Sequence, residues 1–161
     1  MTTKEYNKTV DLHSDAVYHF ILKNIKDTEI AQDVVQDTFV KLWLKVDTVD
    51  FAKSKSYIFT AAYHTMIDYI RKNKRIVNFE KASELDYSHD KTYSDVKEIL
   101  NLAVNKLPTD QRTVLMLRDY EGYSYQEIAE ITGLNESQVK VYIYRARVFL
   151  KSYIGSIEKI L

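Results

Sequence analysis

The stretch Ser124–Leu150, SYQEIAEITGLNESQVKVYIYRARVFL, constrains this chain more than any other, because it reads as two helices joined by a tight turn. Ser124 followed three residues later by Glu127 is a capping box, which satisfies two of the backbone donors left open at a helix start. Gly133 ends that short helix, since glycine enters the left-handed conformation without a Cβ clash. Asn135 and Gln138 repeat the box and open a second, longer helix. Ala129 is small enough to let the two helices approach, and Ile128, Leu134, Val139, Ile143, Ala146 and Leu150 supply an apolar seam. Lys140, Tyr142, Arg145, Arg147 and Lys151 are left to face outwards, and the segment from Lys140 to Lys151 holds four basic residues and no acidic one. A capped helix pair alone is common. The joint spacing of Ala129, Gly133 and Val139 with a cationic second helix describes a helix-turn-helix shaped for a DNA major groove.

The rest of the composition agrees with helices. Among 161 residues there are 3 Gly and 1 Pro, too few breakers for a turn-rich sheet protein, and 45% are hydrophobic, enough for a globular core. No apolar run approaches the roughly 18 residues of a membrane span, and no signal-peptide pattern opens the sequence. With no cysteine, disulfides and thiolate metal sites are excluded. The expectation is a soluble, all-α, cytoplasmic protein without a cofactor.

Charge is balanced overall, at 23 basic and 23 acidic residues, but unevenly spread. Residues 51–75 carry six basic and one acidic side chain, whereas 1–50 and 76–111 are each net acidic. A protein that holds DNA unaided usually shows a larger cationic excess, because phosphate neutralisation supplies most non-specific affinity. Positive charge concentrated at 71–75 and 140–151 therefore implies a partner that keeps the chain on DNA.

Taken in order, residues 4–24 show a helical stripe at Tyr6, Val10, Val17, Phe20 and Ile21. Asp27 or Thr28 can cap the next helix, EIAQDVVQDTFVKLWLKV, whose core face is Ile30, Val34, Val35, Thr38, Phe39 and Leu42. Its other side carries Asp33, Gln36, Asp37 and Lys41, with Trp43 near the end, a face suited to a protein partner. Residues 46–55 read as a loop, and Ser56 as the cap of a third helix, SYIFTAAYHTMIDYIRKNKR. There Ile58, Ala61, Ala62, Thr65, Met66 and Ile70 form the buried side, while Tyr57, Phe59, Tyr63 and Tyr69 interleave and Arg71, Lys72, Lys74 and Arg75 close the helix. The aromatics fit either a core or the stacking of unpaired bases, worth on the order of 1–3 kcal/mol per base. From Ile76 the periodicity fades, and structure resumes at Ser94. This predicts a domain over 1–75, a flexible linker over 76–93 and a second domain of four short helices over 94–161, one of them ending before Pro108.

With both halves read, the sequence resembles a small bacterial sigma factor of the extracytoplasmic-function class. AQDVVQDTFVKLW is similar to that family's polymerase-binding helix and SYIFTAAYHTMIDYIRKNKR to its promoter-melting helix. LPTDQRTVLMLRDYEGYSYQEIAEITGLNESQVKVYIYRAR is similar to its region 4 throughout. The resemblance implies that the first domain docks on the β′ coiled coil of core RNA polymerase through Asp33, Gln36, Asp37 and Trp43. It implies that Tyr57, Tyr63, His64, Arg71, Lys72, Lys74 and Arg75 capture and melt the minus-ten element. It assigns the minus-thirty-five element to the second domain, which also meets the β flap, through Glu136, Ser137, Gln138, Lys140, Tyr142, Arg145 and Arg147. An anti-sigma partner is implied as well, and no small-molecule substrate. The chain departs from the family at His64, where asparagine is usual, and at Val141 and Tyr142, where a small residue and arginine are usual. Tyr142 cannot make the bidentate guanine contact of an arginine, so the sequence preference should differ.

The competing reading is a stand-alone helix-turn-helix regulator, which explains the second half equally well. An enzyme is disfavoured: the sequence has no glycine-rich phosphate loop, no cysteine nucleophile and no histidine pair at ligand spacing, only the i, i+4 pair His64 and Asp68.

Overall fold

The computed structural model describes residues 1–80 and 96–160, with side chains for 1–73 and 96–156. Helix α1 (Thr3–Ile25) opens on a capping box, in which the Glu5 N–H donates to Thr2 Oγ1 and the Thr2 N–H to Glu5 Oε1. The chain leaves it through Lys26, left-handed at φ 61°. Asp27 then caps helix α2 (Thr28–Leu44), accepting from the Ile30 N–H at 3.2 Å. The first residue is tied down too: the Met1 amino group donates to the carbonyls of Val46 and Val49 beyond α2. The third helix starts earlier than its sequence suggests. Residues 51–53 form a short 3-10 turn, and helix α3 (Ser54–Glu80) begins at Ser54, whose hydroxyl donates to the Phe51 carbonyl at 2.7 Å. Ser56 therefore sits inside the helix rather than at its cap. The helix also continues to Glu80, past the point where the apolar period fades. Ser94 and residues 81–93 of the expected linker lie outside the described residues.

The second half places α4 (Val96–Lys106), α5 (Thr109–Leu115), α6 (Tyr125–Thr132) and α7 (Glu136–Ile160) in succession. Between α5 and α6 the helix widens into a π turn over Met116–Tyr120 and closes at Gly122, φ 76°. Val104, Leu107, Leu115 and Ala146 form a small buried cluster where α4, α5 and α7 meet. No strand occurs among the described residues, and no helix there is long and apolar enough to cross a membrane.

The larger core runs without a break from one half of the chain to the other. Val17, Phe20 and Ile21 of α1, Leu42 of α2, and Ile58, Ala62 and Met66 of α3 belong to the same cluster as Val114, Leu117, Tyr123, Ile128 and Ile143. Phe59, fully buried, makes the join: its ring lies edge-on to Phe20, 5.6 Å away, and to Tyr123, 5.9 Å away. Lys55, one turn earlier, pairs with Glu121 Oε1 at 3.5 Å and places its amine 5.2 Å from the centre of the Tyr123 ring. Burial pushes the Tyr123 phenol up to about 12.

A second tie between the halves is Arg112, which is 5% exposed. Its guanidinium donates to the carbonyls of Val104, Asn105 and Leu107, at the C-terminal end of α4. It also reaches the Lys23 carbonyl and Asn24 Oδ1 in α1. Lys23 donates to Asn105 Oδ1 and Lys26 to the Asn105 carbonyl. Three cations thus gather on the negative end of one helix, where open carbonyls and the helix dipole favour them. Burial, with the neighbouring Arg112 and Lys26 charges, holds the Lys23 amine below its usual range.

Candidate nucleic-acid interface

The helix-turn-helix forms as its caps dictate. Ser124 Oγ accepts from the Glu127 N–H at 3.1 Å, and Glu127 Oε1 accepts from the Ser124 N–H at 2.9 Å. This hydrogen bond from the Ser124 backbone holds the Glu127 carboxyl below its ordinary range. Gly133 turns the chain at φ 79°, its N–H donating to the Ala129 carbonyl. Asn135 and Gln138 repeat the reciprocal pair at 2.8 and 3.1 Å, opening α7. A Cβ at Gly133 would meet nothing within 4 Å, so Gly133→Ala tests conformation alone. It is expected to destabilise the fold by about 1 kcal/mol in thermal unfolding, the cost of holding a side chain in the left-handed region.

Val139, Ile143 and Ala146 anchor α7 in the core, which turns the opposite side of the helix to solvent. Glu136, Ser137, Gln138, Lys140, Arg145 and Arg147 are all exposed. Tyr142 is not: it is half-buried and packs against the core. Two of the cations already have neighbours within the fold. Lys140 lies 3.6 Å from Glu136 Oε1 and 5.7 Å from the centre of the Tyr125 ring. Arg147 donates to Asp119 Oδ1 at 2.6 Å. The outermost positions include Val141, which the sequence marks only as a departure from the family, at 43% and Tyr144, which it leaves unmarked, at 70% exposure. Their signal was available, since they stand opposite Val139, Ile143 and Ala146 at helical period.

On α2, Asp33, Gln36 and Asp37 share an exposed face. They line a groove of about 670 Å³ against Thr65, Asp68, Tyr69 and Lys72 of α3. Lys41 closes one side, pairing with Asp37 at 3.5 Å and donating to Thr65 Oγ1 at 2.8 Å. Trp43 stands apart from the groove, 46% exposed and edge-on to Tyr6. Val40 and Leu44, 53% and 76% exposed, extend the α2 face with apolar surface. They recur at i+3 and i+7 from Asp37, a period legible in the sequence but unused in reading it.

The aromatic-basic set on α3 is split. His64, Arg71 and Lys72 are exposed, whereas Tyr57 is half-buried against the core and Tyr63 is 7% exposed. Burial raises the Tyr63 phenol, and Asp110 at the start of α5 raises it further. The side chains of Lys74 and Arg75 lie outside the described residues.

Comparison with known proteins matches both halves to models of one family. Residues 9–76 match sigma-70 region 2, and residues 97–150 match sigma-70, region 4. The RNA polymerase sigma factor SigV of Bacillus subtilis is 33% identical over 83% of this chain and 81% of its own. The ECF RNA polymerase sigma factor SigM of the same bacterium is 29% identical over 88% of this chain and 90% of its own. Among solved structures, the sigma factor RpoE of Bartonella quintana, in complex with the anti-sigma factor NepR, superposes with a TM-score of 0.77 at 26% identity. That match covers 95% of this chain and 98% of RpoE. Two matched regions in family order, on a fold that superposes nearly end to end, place this chain in the sigma-70 family, as a sigma factor of the extracytoplasmic-function class.

Proposed function

We infer that this chain is a transcription initiation factor: it binds core RNA polymerase and directs it to specific promoters, melting the minus-ten element with its first half and reading the minus-thirty-five element with its helix-turn-helix. The observation that carries this reading is the presence of both sigma regions on one chain, in order. A stand-alone regulator would need only the second, and nothing in the comparisons favours it. Zero net charge supports the same conclusion, because the polymerase supplies the hold on DNA that the chain's own charge does not. Catalysis belongs to the polymerase, and the chain works in the cytoplasm. An anti-sigma factor is a further partner, by analogy with the NepR bound to RpoE.

The residue roles follow from exposure. Asp33, Gln36 and Asp37, extended by Val40 and Leu44, form the core-binding face, with Trp43 at its edge. On α7, Ser137, Gln138, Lys140 and Arg145 meet DNA, while Glu136 and Arg147 stay engaged with Lys140 and Asp119 until phosphate competes. His64, Arg71 and Lys72 begin contact with the minus-ten strand. Tyr63 joins them only when the two halves part, since it is buried while they pack together. The division of labour falls between the first half, which α3 carries to Glu80 rather than ending at 75, and the second half that opens with α4.

Charge reversal at Asp37 tests the core-binding face. Asp37→Lys is expected to weaken binding to core polymerase roughly tenfold, about 1.4 kcal/mol. Its exposed pair with Lys41 contributes little to folding, so the thermal midpoint should stay near that of the parent. Fluorescence titration against core enzyme measures the first quantity, and unchanged affinity would remove Asp37 from the contact.

A further inference from the structure

On the outer side of α7, Ser137, Val141, Tyr144 and Val148 recur at spacings of four, three and four residues and form one stripe. Val141, Tyr144 and Val148 are 43, 70 and 50% exposed, and the stripe lies directly opposite the buried Val139, Ile143 and Ala146. None of the three serves the core. The face that a helix-turn-helix turns into the major groove is therefore apolar along its centre, and its cations lie to either side. Lys140 leans towards Glu136 and Tyr125, and Arg147 towards Asp119.

We propose that Val141 reads a thymine in the minus-thirty-five element by packing its methyl groups against the thymine C5-methyl, with Tyr144 flanking the same contact. Val141 is the sixth residue of α7, within the first two turns, the part of a recognition helix that reaches base edges. In the major groove, thymine alone presents a methyl group, whereas guanine, adenine and cytosine are read there chiefly through hydrogen-bonding atoms at their edges. A valine set against those atoms strips their water and returns no hydrogen bond, which is unfavourable. Set against the methyl, it buries apolar surface on both sides. Val148 lies two turns further along, about 10 Å on, and is left to the sugar edge of the groove. The proposal rests on the reading of α7 as the promoter-recognition helix and adds the base chemistry that it selects.

The test uses holoenzyme assembled from core RNA polymerase and this chain. Promoters are enriched from a library randomised over the minus-thirty-five region, and each thymine of the enriched element is then replaced singly by deoxyuridine, which lacks only the methyl. One replacement is expected to weaken binding about fourfold, the factor carried by burial of a single methyl-sized group. Val141→Ala, at an exposed helical position that tolerates alanine, should bind thymine and deoxyuridine promoters alike. If every deoxyuridine promoter binds as tightly as its parent, or if Val141→Ala keeps the full methyl dependence, the proposal is overturned. If no minus-thirty-five sequence is enriched at all while the holoenzyme still forms, the reading of α7 itself fails and takes the methyl contact with it.

Discussion

Replacing Phe59 with alanine is expected to lower folding stability by about 4 kcal/mol, read as a fall in the urea midpoint at unchanged slope. The side chain is wholly buried and meets aromatic rings from both halves of the chain, Phe20 on α1 and Tyr123 ahead of α6. Alanine leaves a cavity between three elements that cannot all close on it, and it forfeits two edge-to-face contacts of about 0.5–1.5 kcal/mol each. The continuous core makes a second demand: parent and variant should each unfold in one transition followed alike by tyrosine fluorescence and far-UV dichroism. A loss below 1 kcal/mol, or two separate transitions in the parent, would mean that the halves do not share their core in solution.

Arg112→Met should cost about 3 kcal/mol, although methionine keeps most of the buried stem. Two effects oppose each other. Burial disfavours the guanidinium charge, so its removal relieves a desolvation penalty. Against this, the carbonyls of Val104, Asn105 and Leu107 at the end of α4, and the Lys23 carbonyl and Asn24 Oδ1 on α1, lose a charged donor. Hydrogen bonds from a charged group contribute about 1.5–3 kcal/mol each, and their acceptors stay buried when the donor goes. The loss wins because one guanidinium serves five acceptors, of which the Asn105 carbonyl keeps Lys26 and the Val104 carbonyl keeps the Leu107 N–H as another donor. Arg112→Lys should recover only part, since an ammonium has three donors and no planar fork. Urea unfolding of the three proteins measures the series; a methionine variant as stable as the parent would show that the desolvation penalty dominates.

Most caps and turns were legible in the sequence because capping is local: Ser124 with Glu127, Asn135 with Gln138, Asp27 and Gly133 all act within four residues of themselves, whereas Ser56 is no cap because α3 already begins at Ser54. The stripes on α1 and α2 were legible because burial there is one-sided. Reading failed where a residue's fate depends on distant chain. Nothing in TDQRTVLML marks Arg112 as buried, since its partners lie at 23, 24, 104, 105 and 107. The aromatics of α3 fitted either a core or base stacking because α3 in isolation shows one apolar side, and it is packing against distant chain that buries Phe59 and Tyr63. Tyr142 looked outward-facing on charge pattern, yet it stands at the edge of the seam and packs inward. Val141 and Tyr144 were legible from period alone, and it is their exposure that gives them meaning.

The packed halves also bear on how the protein works. As it stands, the exposed α2 face and the outer stripe of α7 are accessible, while Tyr63 is covered. In the proposed mechanism, core polymerase docks on the open surfaces first, and separation of the halves then frees Tyr63 for the melted strand. The most direct test is run-off transcription with purified core polymerase on genomic fragments, with and without this chain. The account predicts discrete transcripts that start only when the chain is present and whose templates share sequences about 10 and 35 base pairs upstream. A chain that neither associates with core enzyme nor yields any such transcript would contradict it.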